Sequence, residues 1–149
     1  MKALTLNQNA TRDYELMDKW ESGLVLKGHE VKAAKKGLMS LKGAFVKIQG
    51  QEVWLINSYI SPYQPKNLPE DYNPSRPRKL LLNRREIKNL LIRMQKQGLT
   101  LIPWRVYNKN GKLKLEFALG RGKKKFDKRE EIRKRDFKRE KARIIKGLQ

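Results

Sequence analysis

The sequence predicts a mainly β protein: one small, closed or nearly closed antiparallel barrel, with short helices on its flank and a basic tail at its C-terminus. Three observations lead there. β-rich runs separated by glycine, asparagine and proline signals recur through the first 120 residues. Helical punctuation marks only two short stretches within that region. Beyond it, charge replaces apolar patterning: 17 of the 21 residues in 121–141 are charged, twelve of them basic, which leaves too little apolar surface for a core-packed element. At 149 residues the chain fits one domain with enough core to fold alone.

Taken in order, residues 14–26, "YELMDKWESGLVL", read as two short strands around a turn at Glu21-Ser22-Gly23, with Leu24, Val25 and Leu26 entering the core. His29 to Lys36 suits a short helix, and Gly37 its left-handed stop. "AFVKI" and "EVWLINSYI" are strands flanking a hairpin turn at Gln49-Gly50-Gln51. The second is apolar at both parities (Val53, Leu55 and Tyr59; Trp54, Ile56 and Ile60), which suits a strand buried on both sides or covered by a helix. Residues 62–77 hold five of the six prolines, so neither helix nor interior strand is expected there. Asn83 and Glu86 then form a capping box for a helix whose Ile87, Leu90, Leu91 and Met94 share a face, with Gly98 as its stop. Arg84, Arg85, Lys88, Arg93 and Lys96 take the other faces and make its exterior basic. Finally "LTLIPWRVY", the turn "NKNG" and "KLKLEFAL" make a hairpin in which Leu113, Leu115, Phe117 and Leu119 alternate inward. Pro103 in its first arm requires a bulge or a sheet edge. About six strands with short helices in this length are the proportions of an oligonucleotide-binding (OB) barrel.

Charge narrows the partners. Lys and Arg number 36 against 15 Asp and Glu, a formal net charge of +21, so a polyanion is the expected partner. No apolar run approaches the ~18 residues of a spanning helix, and no secretory pattern opens the chain, which argues against a membrane and for the cytoplasm. Cysteine is absent and histidine occurs once, at His29, so a zinc site of His and Cys is excluded and no metal or other cofactor is expected. Residues 121–149 carry a net +9 and residues 1–120 a net +12, so body and tail should both meet the polyanion.

The tail's acids are not scattered. Asp127 and Glu130 have N-cap and N3 spacing. Glu130 to Lys134 and Glu131 to Arg135 have the acid-first i, i+4 order, which supports a helix by roughly 0.2–0.5 kcal/mol each. Phe126, Phe137 and Ile144 fall near one helical face, yet the apolar residues are too few to dock on the body. The expectation is a polyanion-binding barrel over 1–122, which the resemblance given next makes RNA-binding, and a tail over 123–149 that is disordered alone and helical once a polyanion neutralises it.

Several segments together resemble the tmRNA-binding small protein B family: "NQNATRDYEL", "WESGLVLKGHEVKAAKKG", "SYISPY", "RPRKLLLNRREI" and "KNGKLKLEFALGRGKKKFDKREEIRKRDFKREKARI", in family order over nearly the whole chain. The resemblance implies an OB-like barrel that binds the tRNA-like domain of tmRNA and carries it into the empty A site of a ribosome stalled on a truncated message. It implies an adaptor, not an enzyme, whose tail becomes a helix in the vacant mRNA channel. Implied partners are tmRNA, small-subunit rRNA at the decoding centre and mRNA channel, and elongation factor Tu through the aminoacylated tmRNA complex; a monomer is expected. For the tRNA-like domain the resemblance points to Asn7, Arg12, Tyr14, Glu21, Gly28, Glu30, Lys32, Arg78, Lys79, Leu81, Gly122, Lys123 and Lys124. For the decoding centre and channel it points to Asp127, Lys128, Arg129, Arg133, Lys134, Phe137, Lys138, Arg139, Ile144 and Ile145. Arg12 stands where members often carry His, Phe126 where His or another aromatic is usual, and Phe137 in place of a common Trp. Guanidinium and phenyl planes still stack on bases, but none of the three supplies an imidazole proton.

Two acids need a reason in a protein that seeks phosphate. Glu21 and Glu30 either accept from a base edge or ribose 2′-hydroxyl, or serve as a turn acid and a helix-start acid. Tyr14 reads as a stacking platform or a core strand residue, and Leu81 as core with a contact edge. Arg76, Arg78, Lys79, Arg84 and Arg85 form the densest basic cluster of the body and are expected at phosphates. An unrelated single-strand binder on the same barrel would use no tRNA-like elbow. An RNA-processing enzyme would need a carboxylate cluster, an activated nucleophile or a phosphate-binding loop, and the only adjacent acids outside the tail, Glu70 and Asp71, lie in the proline-rich loop.

Overall fold

The structure is a computed structural model that describes residues 2–63, 71–95 and 98–123. In chain order its elements are β1 (Ala3–Leu6), α1 (Asn9–Asp13), β2 (Tyr14–Leu24), α2 (Gly28–Lys35), β3 (Met39–Ser40), β4 (Phe45–Gln49), β5 (Glu52–Ile56), β6 (Tyr59–Ile60), β7 (Arg78–Leu81), α3 (Arg84–Arg93), β8 (Leu99–Lys109) and β9 (Lys112–Gly122). Strands β8, β4, β5, β7, β2 and β9 pair in that order, all antiparallel, and β9 returns to β8. That ring of six strands is the closed barrel the sequence predicts, and it leaves no open sheet edge within the ring. β1 adds to the outside of the ring on β8, and β3 pairs with β6 in a separate ribbon.

The inward parity of β9 works as its alternation requires. Leu113, Leu115, Phe117 and Leu119 are buried, and with Val46, Val53, Leu55, Leu80, Leu101 and Val106 they fill the barrel. α2 adds Ala33 and Ala34 to this core and α3 adds Leu90, with Ile87 and Met94 packed beside it. The β8–β9 turn places Asn110 and Gly111 both at positive φ (53° and 82°), as a two-residue turn matched to strand twist demands. Asn83 accepts from the Glu86 N–H at 2.8 Å and Glu86 accepts from the Asn83 N–H at 3.1 Å, so the predicted capping box starts α3. Among the described residues no helix is long and apolar enough to cross a membrane.

Several expectations change. Residues 14–24 form one strand, not two, because Glu21, Ser22 and Gly23 pair with Glu116, Leu115 and Lys114 of β9. Gly23 is there for close approach, not for a turn: a Cβ on it would lie 3.2 Å from that of Leu81 on β7. The irregularity in β2 falls instead between Leu16 and Lys19, where one extra residue opposes β9. The bulge predicted at Pro103 is present, with Trp104 the extra residue between Pro103 and Arg105. Both bulges flank β9 near Ala118, and there the Lys19 ammonium lies 3.8 Å from the Trp104 ring centre. The two-parity run splits at Asn57 (φ 63°) into β5 and β6, so Tyr59 is exposed while Ile60 is buried. On α3, Leu91 is exposed instead of sharing the core face, and the helix ends at Arg93, before Gly98.

Candidate nucleic-acid interface

The first cluster forms where the two ends of the body meet. Asn7 is buried; its amide donates to the Pro103 carbonyl at 2.9 Å and its backbone N–H to the Trp104 carbonyl at 2.7 Å. These bonds fix the entry into α1, whose last turn holds the exposed Arg12. Tyr14 pairs in register with Gly122, and the next residue closes the junction: the Lys123 backbone N–H donates to the Asp13 carbonyl at 2.9 Å and its ammonium to the Thr11 carbonyl at 3.0 Å. Five sequence-predicted residues (Asn7, Arg12, Tyr14, Gly122 and Lys123) thus come together across more than 100 positions of chain.

Beside them lies an open cleft of about 370 Å³, lined by Leu6, Asn7, Gln8, Asn9, Arg12, Ser40 and Lys42. A second, of about 250 Å³, shares Asn7 and Asn9 and reaches Tyr14 and Phe45. Cations, amides and an exposed aromatic on one edge are what phosphate positioning and base stacking require. Lys42 and Phe45 were not singled out from the sequence. Phe45 could have been found by parity, since Val46 and Ile48 take the inward positions of β4 and leave Phe45 and Lys47 outside.

In the second cluster Glu30 takes its helix-start reading, while Arg78 has a task other than the phosphate contact expected of it. Glu30 and Arg78 are 0% exposed, so neither side chain reaches the surface. Arg78 donates to Glu30 from Nε at 3.0 Å and Nη2 at 2.7 Å, to the Ser58 carbonyl and hydroxyl at 2.9 Å each, and to the Pro74 carbonyl at 2.9 Å. Glu30 also accepts from the Lys27 N–H at 2.9 Å, from Tyr72 at 3.2 Å and from Arg76. Burial alone would push the Glu30 carboxyl up. Hydrogen bonds from Arg76, the Lys27 N–H and Arg78 outweigh it and hold the carboxyl down at about 2. This knot fastens α2, β7 and the last residues of the proline-rich loop (Tyr72, Pro74 and Arg76) to one another. It leaves Gly28 and Lys32 exposed on α2 and Arg76 partly exposed.

Glu21 is partly exposed and accepts from the Tyr107 hydroxyl and from Lys109. The Tyr107 bond, against a smaller opposing effect of burial and with help from Lys109, lowers its carboxyl below the usual range. Lys79 faces outward in register with Trp54, its ammonium 3.5 Å from Glu52. Leu81 is 54% exposed and so is not core; its neighbour Leu80 takes that place. Arg84, Arg85 and Lys88 are exposed on α3. Among the described residues no group of three metal-ligating side chains occurs. Lys124, Asp127, Lys128, Arg129, Arg133, Lys134, Phe137, Lys138, Arg139, Ile144 and Ile145 lie outside the described residues.

Comparison with known proteins gives a consistent answer. Residues 4–147 match the SmpB protein family. An SsrA-binding protein of Sulfurihydrogenibium sp. (strain YO3AOP1) is 45% identical over 98% of this chain and 95% of its own length. The SsrA-binding protein of Aquifex aeolicus (strain VF5) is 44% identical over 95% and 90%. A chain of the solved structure "tmRNA-SmpB: a journey to the center of the bacterial ribosome" is 39% identical, with a TM-score of 0.66, covering 80% of this chain and 84% of that one. On these likenesses and on its six-stranded barrel, the chain belongs to the SmpB protein family.

Proposed function

We propose that this protein is an RNA-binding adaptor of trans-translation. It binds the tRNA-like domain of tmRNA, delivers it to the A site of a ribosome stalled on a truncated message, and senses the empty mRNA channel with its C-terminal tail. The observation that carries this reading is likeness to SsrA-binding proteins along the whole chain, with the family match running to residue 147 and so through the tail.

The barrel is the docking body. Arg12, Lys42, Lys79 and Lys123 position the phosphates, while Tyr14, Phe45 and Glu21 meet bases and ribose. The Glu30–Arg78 knot serves recognition indirectly, by setting α2 with Gly28 and Lys32 at a fixed angle to the barrel. Residues 123–149 are a basic tail whose Asp127, Lys128 and Arg129 sit near the decoding nucleotides. Arg133, Lys134, Phe137, Lys138 and Arg139 follow along the rRNA walls of the channel, with Ile144 and Ile145 near the tail's end. The protein works in the cytoplasm as a monomer, meets elongation factor Tu through the aminoacylated tmRNA complex, and carries out no covalent chemistry of its own.

The test is binding of the full chain to a tRNA-like tmRNA fragment and to an unrelated hairpin RNA of the same length, across a range of salt. Preference for the tRNA-like fragment is expected to persist as salt screens the shared phosphate term. Equal affinity for the two RNAs at every salt concentration would overturn the reading in favour of a general RNA binder.

A further inference from the structure

Glu21 is an acid in mid-strand on a strongly basic protein, and what surrounds it is more than charge balance. Its Oε2 accepts from the Tyr107 hydroxyl, and its Oε1 lies 3.2 Å from the Lys109 ammonium. Tyr107, on β8, is only 2% exposed, so packing holds its ring and the backbone dictates where its hydroxyl sits. Arg105 lies 4.9 Å from the centre of that ring and is itself tied to Glu116 at 2.8 Å. Burial first, then the Glu21 bond, pushes the Tyr107 hydroxyl well up, so it remains a proton donor across the working range of pH.

A carboxylate offers about four lone-pair sites. The contacts from Tyr107 and Lys109 occupy part of that capacity, while the Glu21 side chain is still 36% exposed. A glutamate on a strand surface would otherwise move among rotamers; this one presents its remaining lone pairs to solvent in one direction. We infer that Tyr107, seconded by Lys109, is a positioning residue for RNA recognition, holding Glu21 as a fixed acceptor for a donor on the RNA, a base N–H or a ribose 2′-hydroxyl. This rests on the reading of Glu21 as an RNA contact. Tyr107 itself touches no RNA; it acts through the carboxylate, which a pre-set geometry makes selective for donors.

A double-mutant cycle on affinity for the tRNA-like tmRNA fragment, using full-length protein, tests this. Tyr107→Phe keeps the ring and removes only the hydroxyl, and is expected to weaken binding roughly five- to tenfold, the scale of one ordinary hydrogen bond. In a Glu21→Ala background the same change should alter affinity by less than about twofold, because the group it positions is gone. Lys109→Ala, at a side chain exposed enough to leave folding intact, should give a smaller loss that also vanishes with Glu21→Ala. The Glu21 carboxyl, followed by carbon NMR, should titrate at higher pH in Tyr107→Phe than in the parent. Equal losses in both backgrounds, no loss in Tyr107→Phe, or an unmoved Glu21 titration would each overturn the inference. A Glu21→Ala protein that binds the fragment as the parent does would remove its premise, while preference of the parent for that fragment over an unrelated hairpin judges the broader function separately.

Discussion

Replacing Glu30 by Gln keeps the size and most of the hydrogen-bonding shape of the side chain but removes its charge. In the folded protein the Glu30 carboxyl is held at about 2 against an ordinary 4.5. That difference corresponds to about 3 kcal/mol favouring the ionised form. The variant also leaves Arg78, fully buried, and Arg76 without their counter-charge. Breaking one side of a buried pair typically costs about 3–5 kcal/mol, so the two routes agree. For a body of this size roughly 3–5 °C of melting temperature is lost per kcal/mol, and Glu30→Gln should melt about 10–20 °C below the parent at pH 7. Because the folded value lies below the unfolded one, this stabilisation is complete above pH 4.5 and is lost as pH falls towards 2. The gap between parent and variant should therefore close over that window. Thermal melts by circular dichroism at pH 7, 4.5 and 3 measure both effects. A melting temperature within about 2 °C of the parent at pH 7 would refute the claim that this ion pair fastens α2 to the barrel.

Two further outcomes are expected. Arg12→Ala and Lys42→Ala, on the rim of one cleft, should each weaken binding of the tRNA-like fragment and reduce the slope of log affinity against log salt by roughly 0.7–0.9, as loss of one phosphate contact requires; an unchanged slope would remove that residue from the interface. Asn83→Ala should lower stability by about 1 kcal/mol in denaturant melts through loss of the α3 cap, with RNA affinity unaffected while the protein is folded.

The parts of the fold that rest on local rules were legible. Alternation in β9, the Asn110–Gly111 turn, the Asn83–Glu86 box and the stop at Gly37 each depend on residues within one or two turns of chain. What was misread depends on distant partners. Glu21-Ser22-Gly23 has the composition of a turn, and only its pairing with β9 and the approach of Leu81 make it mid-strand. Leu80 and Leu81 are chemically alike, and the register of β7 against β5 and β2 decides which one is buried.

The site divides in the same way. Charge at Arg12, Lys32 and Lys123 announces itself in one dimension. The tasks of Asn7, Glu30 and Arg78 do not, since each is fixed by a carbonyl or side chain far along the sequence: Pro103 for Asn7, Arg78 for Glu30, Ser58 and Pro74 for Arg78. Sequence resemblance brought Glu30 and Arg78 forward as important, and the fold accounts for that importance by burial.

The division of labour between barrel and tail is the central claim, and one comparison tests it most directly. The full chain and a chain ending at Phe126 are each assayed for binding to the tRNA-like fragment and for peptide tagging on ribosomes stalled without downstream message. Binding largely retained with tagging abolished is the expected result. Tagging that survives the truncation would make residues 127–149 a solubilising run and contradict the sensing role.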